Sequence, residues 1–337
     1  MQWISRSAAL ALVTLVAAPA AALADGGPVP PSQGIAIGVP GTSPTYGVFG
    51  AGRATIVKRL GAGGVPSGAQ LRLRGQYGIP GVDYRGATTG LSADGHTLVL
   101  AQLTLRGAPR TTRLLVLRTP RLAIRARIAL PGWSAVDAIS PNGRWLYLIH
   151  YHNADISKYE VLAYNLLTHR MLPKPIVDPD DRGEAMTGFP ITRVMSPGYR
   201  WAYTLYMRPT GAPFIHALDT VGHRAVCIDL PSLTHLDITN GHLSLGSGGK
   251  LLKVGFAGAT RAAINTRTLT LVADTAGTSR SASAPAQTRP AAHKTAPRAT
   301  GGVPWGLLAG LLAVLAAIAV GVARRQRPKA GPPIRVP

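Results

Sequence analysis

Two histidines at i, i+2 spacing are candidate metal ligands in this chain. His150 and His152 follow the strand-like stretch Trp145 to Ile149, and their spacing places both imidazoles on one strand face. Zinc usually takes three or four protein ligands, and Asp155 is the only further candidate nearby. The pattern therefore predicts either a metal site at His150, His152 and Asp155 or a solvated loop entrance.

An acidic stretch offers a second, independent metal hypothesis. Residues 178 to 184 read Asp-Pro-Asp-Asp-Arg-Gly-Glu and supply several carboxylate oxygens, which are the ligands that calcium prefers. Their spacing is not that of an EF-hand loop, and an exposed connection containing proline explains the composition equally well. Calcium is thus the one cofactor that the sequence indicates, and no other cofactor is expected.

Recognisable catalytic signatures are absent from the sequence. It contains no G-x-S-x-G elbow, no H-E-x-x-H pair, no phosphate-binding G-x-x-x-x-G-K-S/T loop and no dinucleotide fingerprint after a strand. Scattered Ser, His and Asp residues do not define a triad without coordinates. No catalytic residue is assigned, although a site assembled from distant segments would leave no such motif.

A repeat with a period of about 50 residues organises the middle of the chain. Each copy has a short strand, a tight turn in which Asp or Asn with Gly supplies the left-handed backbone, and a second strand rich in β-branched or aromatic residues. The copies are Thr88 to Leu100, Val136 to Leu148, Thr192 to Thr204 and an eroded fourth copy, Leu243 to Leu252.

Two further strands are predicted after each of these turns. They are Arg113 to Arg118 with Leu122 to Ile128, Glu160 to Asn165 with His169 to Leu172, Phe214 to Asp219 with Arg224 to Leu230, and Arg261 to Asn265 with Thr268 to Val272. Four strands per period of this length is typical of a propeller blade.

The turn sequence Ser-Pro-Asx-Gly followed by x-x-Leu-Tyr resembles that of the bacterial TolB-like, YVTN-type and WD-repeat-like β-propellers. Ser140 to Tyr147 is the best copy, Ser92 to Leu98 is good, and Ser196 to Tyr203 departs by having Gly198 and Tyr199 where Asx and Gly are expected. The resemblance covers about residues 87 to 273. The Trp-Asp dipeptide and the hydrogen-bonded tetrad of true WD repeats are missing.

The resemblance implies an all-β fold, a β-propeller of about five four-stranded blades with a range of four to seven. Residues 46 to 82, with strands at Ala54 to Arg59 and Gln70 to Arg74, are expected to form a partial blade. Pairing of the N-terminal and C-terminal strands is expected to close the ring. A β-sandwich is the alternative fold, but a turn that recurs every 50 residues or so is hard to fit to it.

Equal offsets from the turns predict which residues line the propeller axis. Thr89, Asp137 and Arg193 stand three residues before the turn serines, and the next position facing the same way is apolar in every copy, with Leu91, Ile139, Met195 and Leu245. We expect Asp137 and Arg193 to form a partly buried ion pair between neighbouring blades. The alternative is that Asp137, Arg193 and Thr89 are ligand-binding groups at the mouth of the channel.

The two ends of the chain predict its location. Residues 1–24 read as an export signal that ends in Ala22-Leu23-Ala24, and the uncharged run 303–323 is long enough for a transmembrane helix. Between them we expect an N-terminal extension (25–45), the propeller (46–273) and a disordered stalk rich in Ala, Pro, Ser and Thr (274–302); the basic tail (324–337) stays cytoplasmic. The protein is therefore predicted to be a single-pass membrane protein with its N-terminal domain outside the cytoplasm.

Small residues in the predicted helix permit self-association. Gly306 and Gly310 form one G-x-x-x-G, which lets two helices approach closely and allows a homodimer. Such spacing also arises by chance in a segment rich in Ala and Gly.

Charge and cysteine content restrict the function further. From Asp25 to Asp274 the chain has 26 Lys or Arg against 14 Asp or Glu, and most of the surplus lies between Arg53 and Arg127. The single cysteine, Cys227, excludes an internal disulfide and is expected to be a small buried residue. An exported domain is a poor partner for nucleic acid, so the basic surface indicates an anionic envelope polymer or lipid. Unpaired surface arginine that merely keeps the protein soluble is the competing explanation.

These observations predict an extracytoplasmic propeller that acts as a binding or protein-interaction module of the cell envelope. Its partner is expected to be an envelope protein or an anionic envelope polymer or lipid. The alternative is an anchored hydrolase or lyase with its site at the channel mouth, where Asp137, Arg193, His150 or His152 would contribute.

Overall fold

Apart from five single-turn 3-10 helices, strands account for the regular structure of the described residues. The computed structural model describes residues 28–274 except 105–106, 153–155, 157 and 181–185, all within one compact unit, Met1–Ser279. The 3-10 turns are Ala62–Gly64, Pro197–Tyr199, Pro231–Leu233, Ile238–Asn240 and Ser247–Gly249. Within the described ranges no helix is long and apolar enough to span a bilayer. The predicted export signal and transmembrane helix, with Gly306 and Gly310, lie outside these ranges and stay predictions.

Five antiparallel sheets, here called blades 1 to 5, each take their strands from one continuous stretch of chain. Blade 1 has β1 (Ile35–Ile37), β2 (Thr45–Ala51), β3 (Ala54–Leu60) and β4 (Pro66–Arg74). Blade 2 has β5 (Tyr77–Gly78), β6 (Thr97–Gln102), β7 (Thr111–Arg118) and β8 (Ala123–Pro131). Blade 3 has β9 (Trp133–Ile139), β10 (Trp145–Tyr151), β11 (Lys158–Asn165) and β12 (Arg170–Met171), with β13 (Met186–Thr187) also paired to β11.

The remaining two blades have the same plan. Blade 4 has β14 (Phe189–Met195), β15 (Trp201–Met207), β16 (Phe214–Asp219) and β17 (Arg224–Asp229). Blade 5 has β18 (His242–Leu245), β19 (Leu251–Phe256), β20 (Ala259–Asn265) and β21 (Thr270–Asp274). Successive four-stranded antiparallel meanders are the arrangement expected of the blades of a β-propeller, so the predicted all-β class and the predicted number of about five blades are confirmed.

Consecutive blades pack face to face through four hydrophobic clusters. Val57 and Leu115 belong to one cluster that blades 1 and 2 share, and equivalent clusters join blades 2 and 3, blades 3 and 4, and blades 4 and 5. Within the described ranges no such cluster joins blade 5 to blade 1. The core is therefore a series of separate interfaces between neighbours.

One expectation about the ends of the propeller is wrong, and a second is not met within the described residues. Blade 1 is complete, because the three-residue strand β1 lies within residues 25–45, which the sequence assigns to an extension. The turn before β2 contains Pro40-Gly41 but lacks the repeated Ser-x-Asx-Gly pattern, so the sequence pattern does not identify β1 as part of a blade. The predicted pairing of N-terminal with C-terminal strands is also not found in the described part of the chain, where β1 pairs with β2 and β21 with β20.

The turn between the first two strands accounts for the repeated Ser-x-Asx-Gly pattern. In blade 3 the Ser140 hydroxyl accepts the backbone N–H of Trp145 at 2.9 Å and donates to the Asn142 side chain at 2.9 Å. Gly143 has φ = 63°, the left-handed region that favours glycine. Ser196 of blade 4 makes the same bond to the backbone of the strand that follows, at 2.9 Å.

The inner strand of blade 2 is interrupted by a loop that crosses toward blade 4. This axial loop, residues 80–89, leaves the sheet after β5, and the chain rejoins β6 at Leu91. Its hairpin is closed by the N–H of Thr89 bound to Pro80 O at 2.9 Å, and Tyr84 N–H reaches Pro190 O of β14 at 3.2 Å. The axial loop therefore contacts the inner strand of a blade that is not its neighbour.

Candidate functional site

The predicted ion pair lies in the interior, between the inner strands of blades 3 and 4. The Arg193 guanidinium donates to the Asp137 carboxylate and to the Asp137 carbonyl oxygen, and its Nε donates to Thr204 Oγ1 at 2.7 Å. The side chains of Arg193 and Asp137 are 4% and 1% exposed. The prediction that the two residues pair is confirmed, with deeper burial than expected.

The axial loop brings a second carboxylate to this pair. Asp83 is 1% exposed and accepts the N–H groups of Arg85 at 3.1 Å and Ala87 at 2.8 Å. Burial raises the pKa of Asp83, against the opposing effects of its backbone hydrogen bonds and of the Arg193 charge. Thr89 lies at the base of the loop, and no hydrogen bond of the described residues links its side chain to Asp137 or Arg193.

A cavity of about 730 Å³ opens where blades 1, 2 and 3 meet. It lies at the end of the blades that carries the β2–β3 turn and the connection from β8 to β9. The proline-rich segment 28–31 forms one wall, the ends of β6 and β7 form another, and Trp133 and Ser134 of β9 form a third. We call this the three-blade cavity.

The charged groups of the three-blade cavity are all of one sign. Its lining is mainly apolar, and the only charged residues among the described lining residues are Arg53 and Arg113. Gln76 and Gln102 add amide groups, and Trp133 adds a half-buried indole whose ring centroid lies 5.2 Å from that of Tyr151. Apolar walls with a few convergent polar groups are typical of ligand sites.

One wall of the cavity carries a serine bound to a histidine. Ser134, His150 and Glu160 stand opposite one another on β9, β10 and β11, and Ser134 Oγ lies 3.0 Å from His150 Nδ1. Burial lowers the pKa of His150, as does the nearby His152, while Glu160 opposes the shift. His150 is therefore neutral at pH 7 and can exchange a proton with the serine hydroxyl.

His152 and the other predicted metal ligands have different surroundings. His152 Nε2 lies 3.1 Å from Glu160 Oε1, both side chains are exposed, and its ring centroid is 5.2 Å from that of His150. Asp155 lies outside the described residues. Among the residues that are described, no group of three His, Cys, Asp or Glu side chains is placed to hold a metal ion.

The first carboxylate of the predicted calcium-binding stretch accepts hydrogen bonds from the backbone. Asp178 is buried and accepts the N–H of Cys227 at 2.6 Å and that of Asp180 at 3.0 Å. Asp181 and Glu184 lie outside the described residues, so the calcium hypothesis stays a prediction.

Sequence reasoning found the axial pair but missed the three-blade cavity. The residues that form it are scattered from Pro28 to Val136 and share no motif. Ser134 and His150 lie just outside the strands predicted for blade 3, and Glu160 begins the next one, so only the observed register brings the three residues together.

Comparison with solved structures finds similar chains at low identity. A functionally unknown protein from Desulfotomaculum acetoxidans aligns with 14% identity and a TM-score of 0.43, over 72% of this chain and 67% of that one. TolB from Acinetobacter baumannii aligns with 12% identity and a TM-score of 0.36, over 64% of this chain and 48% of TolB. A β-propeller domain from Myceliophteria thermophila aligns with 9% identity and a TM-score of 0.40, over 70% and 67%.

These similarities assign the chain to no family. It spans about half of the TolB chain, with which it shares few identical residues. Neither a family model nor a curated protein sequence matches it significantly. The description as a β-propeller therefore depends on its own strand topology.

Proposed function

We propose that the protein is a binding module of the cell envelope, held outside the cytoplasm by its predicted membrane helix, and that it binds an anionic ligand in the three-blade cavity. The observation that carries the proposal is the cavity itself. Its volume of about 730 Å³ falls within the range of small-molecule sites, roughly 300 to 1,000 Å³. Arg53 and Arg113 would pair with the anionic group while the apolar walls cover the rest of the ligand.

The interactions among the charged residues at the propeller axis favour the three-blade cavity over the mouth of the channel as the binding site. Asp137 and Arg193 bind each other, and the axial loop adds Asp83 beside them. Polar groups that already satisfy one another would have to be separated before they could bind a ligand, and breaking a buried pair costs about 3 to 5 kcal/mol.

The test is binding of a panel of small phosphates and sugar acids to the full-length protein in detergent, monitored by ligand-observed NMR. Arg113→Gln removes one cation from the cavity, and we expect it to weaken the best ligand about tenfold or more, since hydrogen bonds to charged groups contribute about 1.5 to 3 kcal/mol. Arg118→Gln is the matched control, because Arg118 is an exposed residue at the other end of β7. Equal losses in both variants, or no binding by the wild type, would refute the proposal.

A second candidate function, ester hydrolysis, is favoured by Ser134 and His150. A neutral imidazole bound to a hydroxyl can take its proton as the oxygen attacks a carbonyl. Glu160 binds His152 instead of completing a triad, which leaves binding as the better-supported function. A fluorophosphonate probe that labels the wild type but not Ser134→Ala would establish the hydrolase, and no labelling of either would exclude a reactive serine here.

A further inference from the structure

Blade 1 has one sheet face that no other blade covers in the described part of the chain. Leu71 and Leu73 of β4 point toward blade 2, where Leu73 is buried in the shared cluster. Because side chains alternate along a strand, Arg72 and Arg74 lie on the opposite face. Phe49 and Ile56 occupy the same row as Arg72 in the sheet register. We call this surface the free face of blade 1.

The free face is cationic and has no acidic residue to balance it. Lys58 stands one position along β3 from Val57 of the core, with its ammonium group 5.7 Å from the Phe49 ring centroid. Residues 28–82 contain five Lys or Arg and no Asp or Glu. Among the described residues, no Lys or Arg of blades 1 and 2 forms an ion pair. The charges of the free face are thus available to an external anion.

Three arginine residues line one groove at the end of this face. A shallow groove of about 430 Å³ is lined by Arg53, Ala54, Arg72, Leu73 and Arg74. Ala54 and Arg74 are register partners, so the small side chain of Ala54 leaves room beside the arginine. Arg72 and Arg74 are separated by about 7 Å along the strand, since each residue of a strand advances about 3.3 Å.

The other end of the propeller does not complement this surface. Leu252 and Val254 of β19 pack on blade 4, so Lys253 lies on the outward face of blade 5, opposite Ser244 and Ala263. Burying Lys253 against Lys58 and Arg72 would desolvate like charges without a carboxylate between them. Among the side chains that the structure describes, blade 5 therefore offers no carboxylate to the free face, whether from this chain or from a second copy.

We infer that the free face of blade 1 binds a linear polyanion, with the chemistry of a polyol-phosphate chain. The backbone of such a polymer can extend along β4, where Arg72 and Arg74 meet successive phosphates and Arg53 meets a further one at the groove. Phe49 and Ile56 offer apolar contact to the carbon segments between phosphates. Arg53 lines both this groove and the three-blade cavity. The two sites are told apart by Arg72 and Arg74, which line only the groove, and by Arg113, which lines only the cavity.

The test is equilibrium binding of the full-length protein in detergent to a defined poly(glycerol phosphate) chain at several salt concentrations. For Arg72→Gln with Arg74→Gln we expect binding weakened about tenfold and a slope of log K against log salt reduced by about 1 to 2, since each lost phosphate contact contributes about 0.7 to 0.9. Arg121→Gln with Arg127→Gln removes the same charge from exposed positions of blade 2 and should leave affinity within about twofold, because neither residue belongs to the free face or lines its groove.

Several outcomes would overturn the inference. Equal weakening by both double variants would mean that only net charge matters. Binding to phosphatidylglycerol vesicles without binding to the soluble polymer would assign the face to lipid headgroups, and self-association abolished by Arg72→Gln with Arg74→Gln would assign it to a second copy. Arg113→Gln should leave polymer binding unchanged, so a failure here is distinguishable from a failure of the cavity proposal.

Discussion

At the scale of single residues, Arg193 ties two blades together at the axis. Its guanidinium binds a side chain of its own blade, Thr204, and both the carboxylate and the carbonyl of Asp137 in blade 3. Burial alone would lower the pKa of Arg193, but the charge of Asp137 raises it above its usual value. The arginine is therefore charged, and its position is set by acceptors from both blades.

His216 is a buried titratable group that makes stability depend on pH. It lies on β16 with 1% exposure, and burial lowers its pKa from 6.5 to about 4. The unfolded chain therefore binds the proton more tightly than the folded chain between these values. Its contribution to stability is complete above about pH 6.5 and falls as the pH approaches 4.

We predict that the free energy of unfolding falls by up to about 3 kcal/mol between pH 7 and pH 4 because of this residue, from about 1.4 kcal/mol per unit of pKa shift. Urea denaturation of the full chain at several pH values measures it. His216→Gln, which cannot be protonated, should remove most of this slope, although His150 and His223, whose pKa values burial also lowers, leave a smaller one. If the free energy of unfolding of His216→Gln falls with pH as steeply as that of the wild type, the pH dependence does not come from His216.

At the scale of elements, the turn serines can be compared in the same chain. Ser140 is 2% exposed, whereas Ser196 is half-buried, and each accepts a backbone N–H of the strand that follows at 2.9 Å. We predict that Ser140→Ala destabilises the protein by about 1 to 3 kcal/mol, because it removes a buried hydroxyl that accepts a backbone N–H and donates to Asn142.

Ser196→Ala is the matched control for this prediction and should cost less, since water can replace the lost hydroxyl at a half-buried turn. Thermal unfolding of both variants by circular dichroism measures the difference. Equal destabilisation would mean that burial of the turn does not decide its contribution.

The sequence predicted those elements whose signals are local. The turn pattern located blades 2 to 5, and equal offsets from it identified Asp137 and Arg193 as partners. A second recurring turn was missed, in which the side chain of Asn165, Asp219 or Asn265 accepts two backbone N–H groups. Its left-handed residues are His169, His223 and Leu269, and the absence of glycine there conceals the motif.

The missed parts of the site depend on contacts between distant segments. Asp83 reaches Arg193 only because the inner strand of blade 2 is interrupted, and neither composition nor period predicts the path of the axial loop. The three-blade cavity likewise forms between elements that are each regular on their own. Such cavities depend on how neighbouring blades are oriented, and the repeat length in the sequence does not specify that orientation.

At the scale of the whole molecule, charge and closure are connected. Between Arg53 and Arg127 the chain has 13 Lys or Arg and two Asp or Glu. The described ion pairs with Asp137, Asp219, Asp229 and Glu160 all lie in blades 3 and 4. Blade 1 therefore presents a cationic outer face, and within the described part of the chain no apolar cluster like those at the other interfaces covers it.

Because the blades pack on their neighbours in chain order, a pulling force on the molecule is transmitted from blade to blade. If a polymer is bound at blade 1 and the chain beyond blade 5 is anchored, tension passes through the blade interfaces in series, and the weakest one yields first. The axial loop, which contacts β14 from blade 2, acts in parallel with two of those interfaces and shares their load. The backbone pairing of Ser32 with Ile79 adds a further connection between blades 1 and 2, so it shares the load at that interface as well.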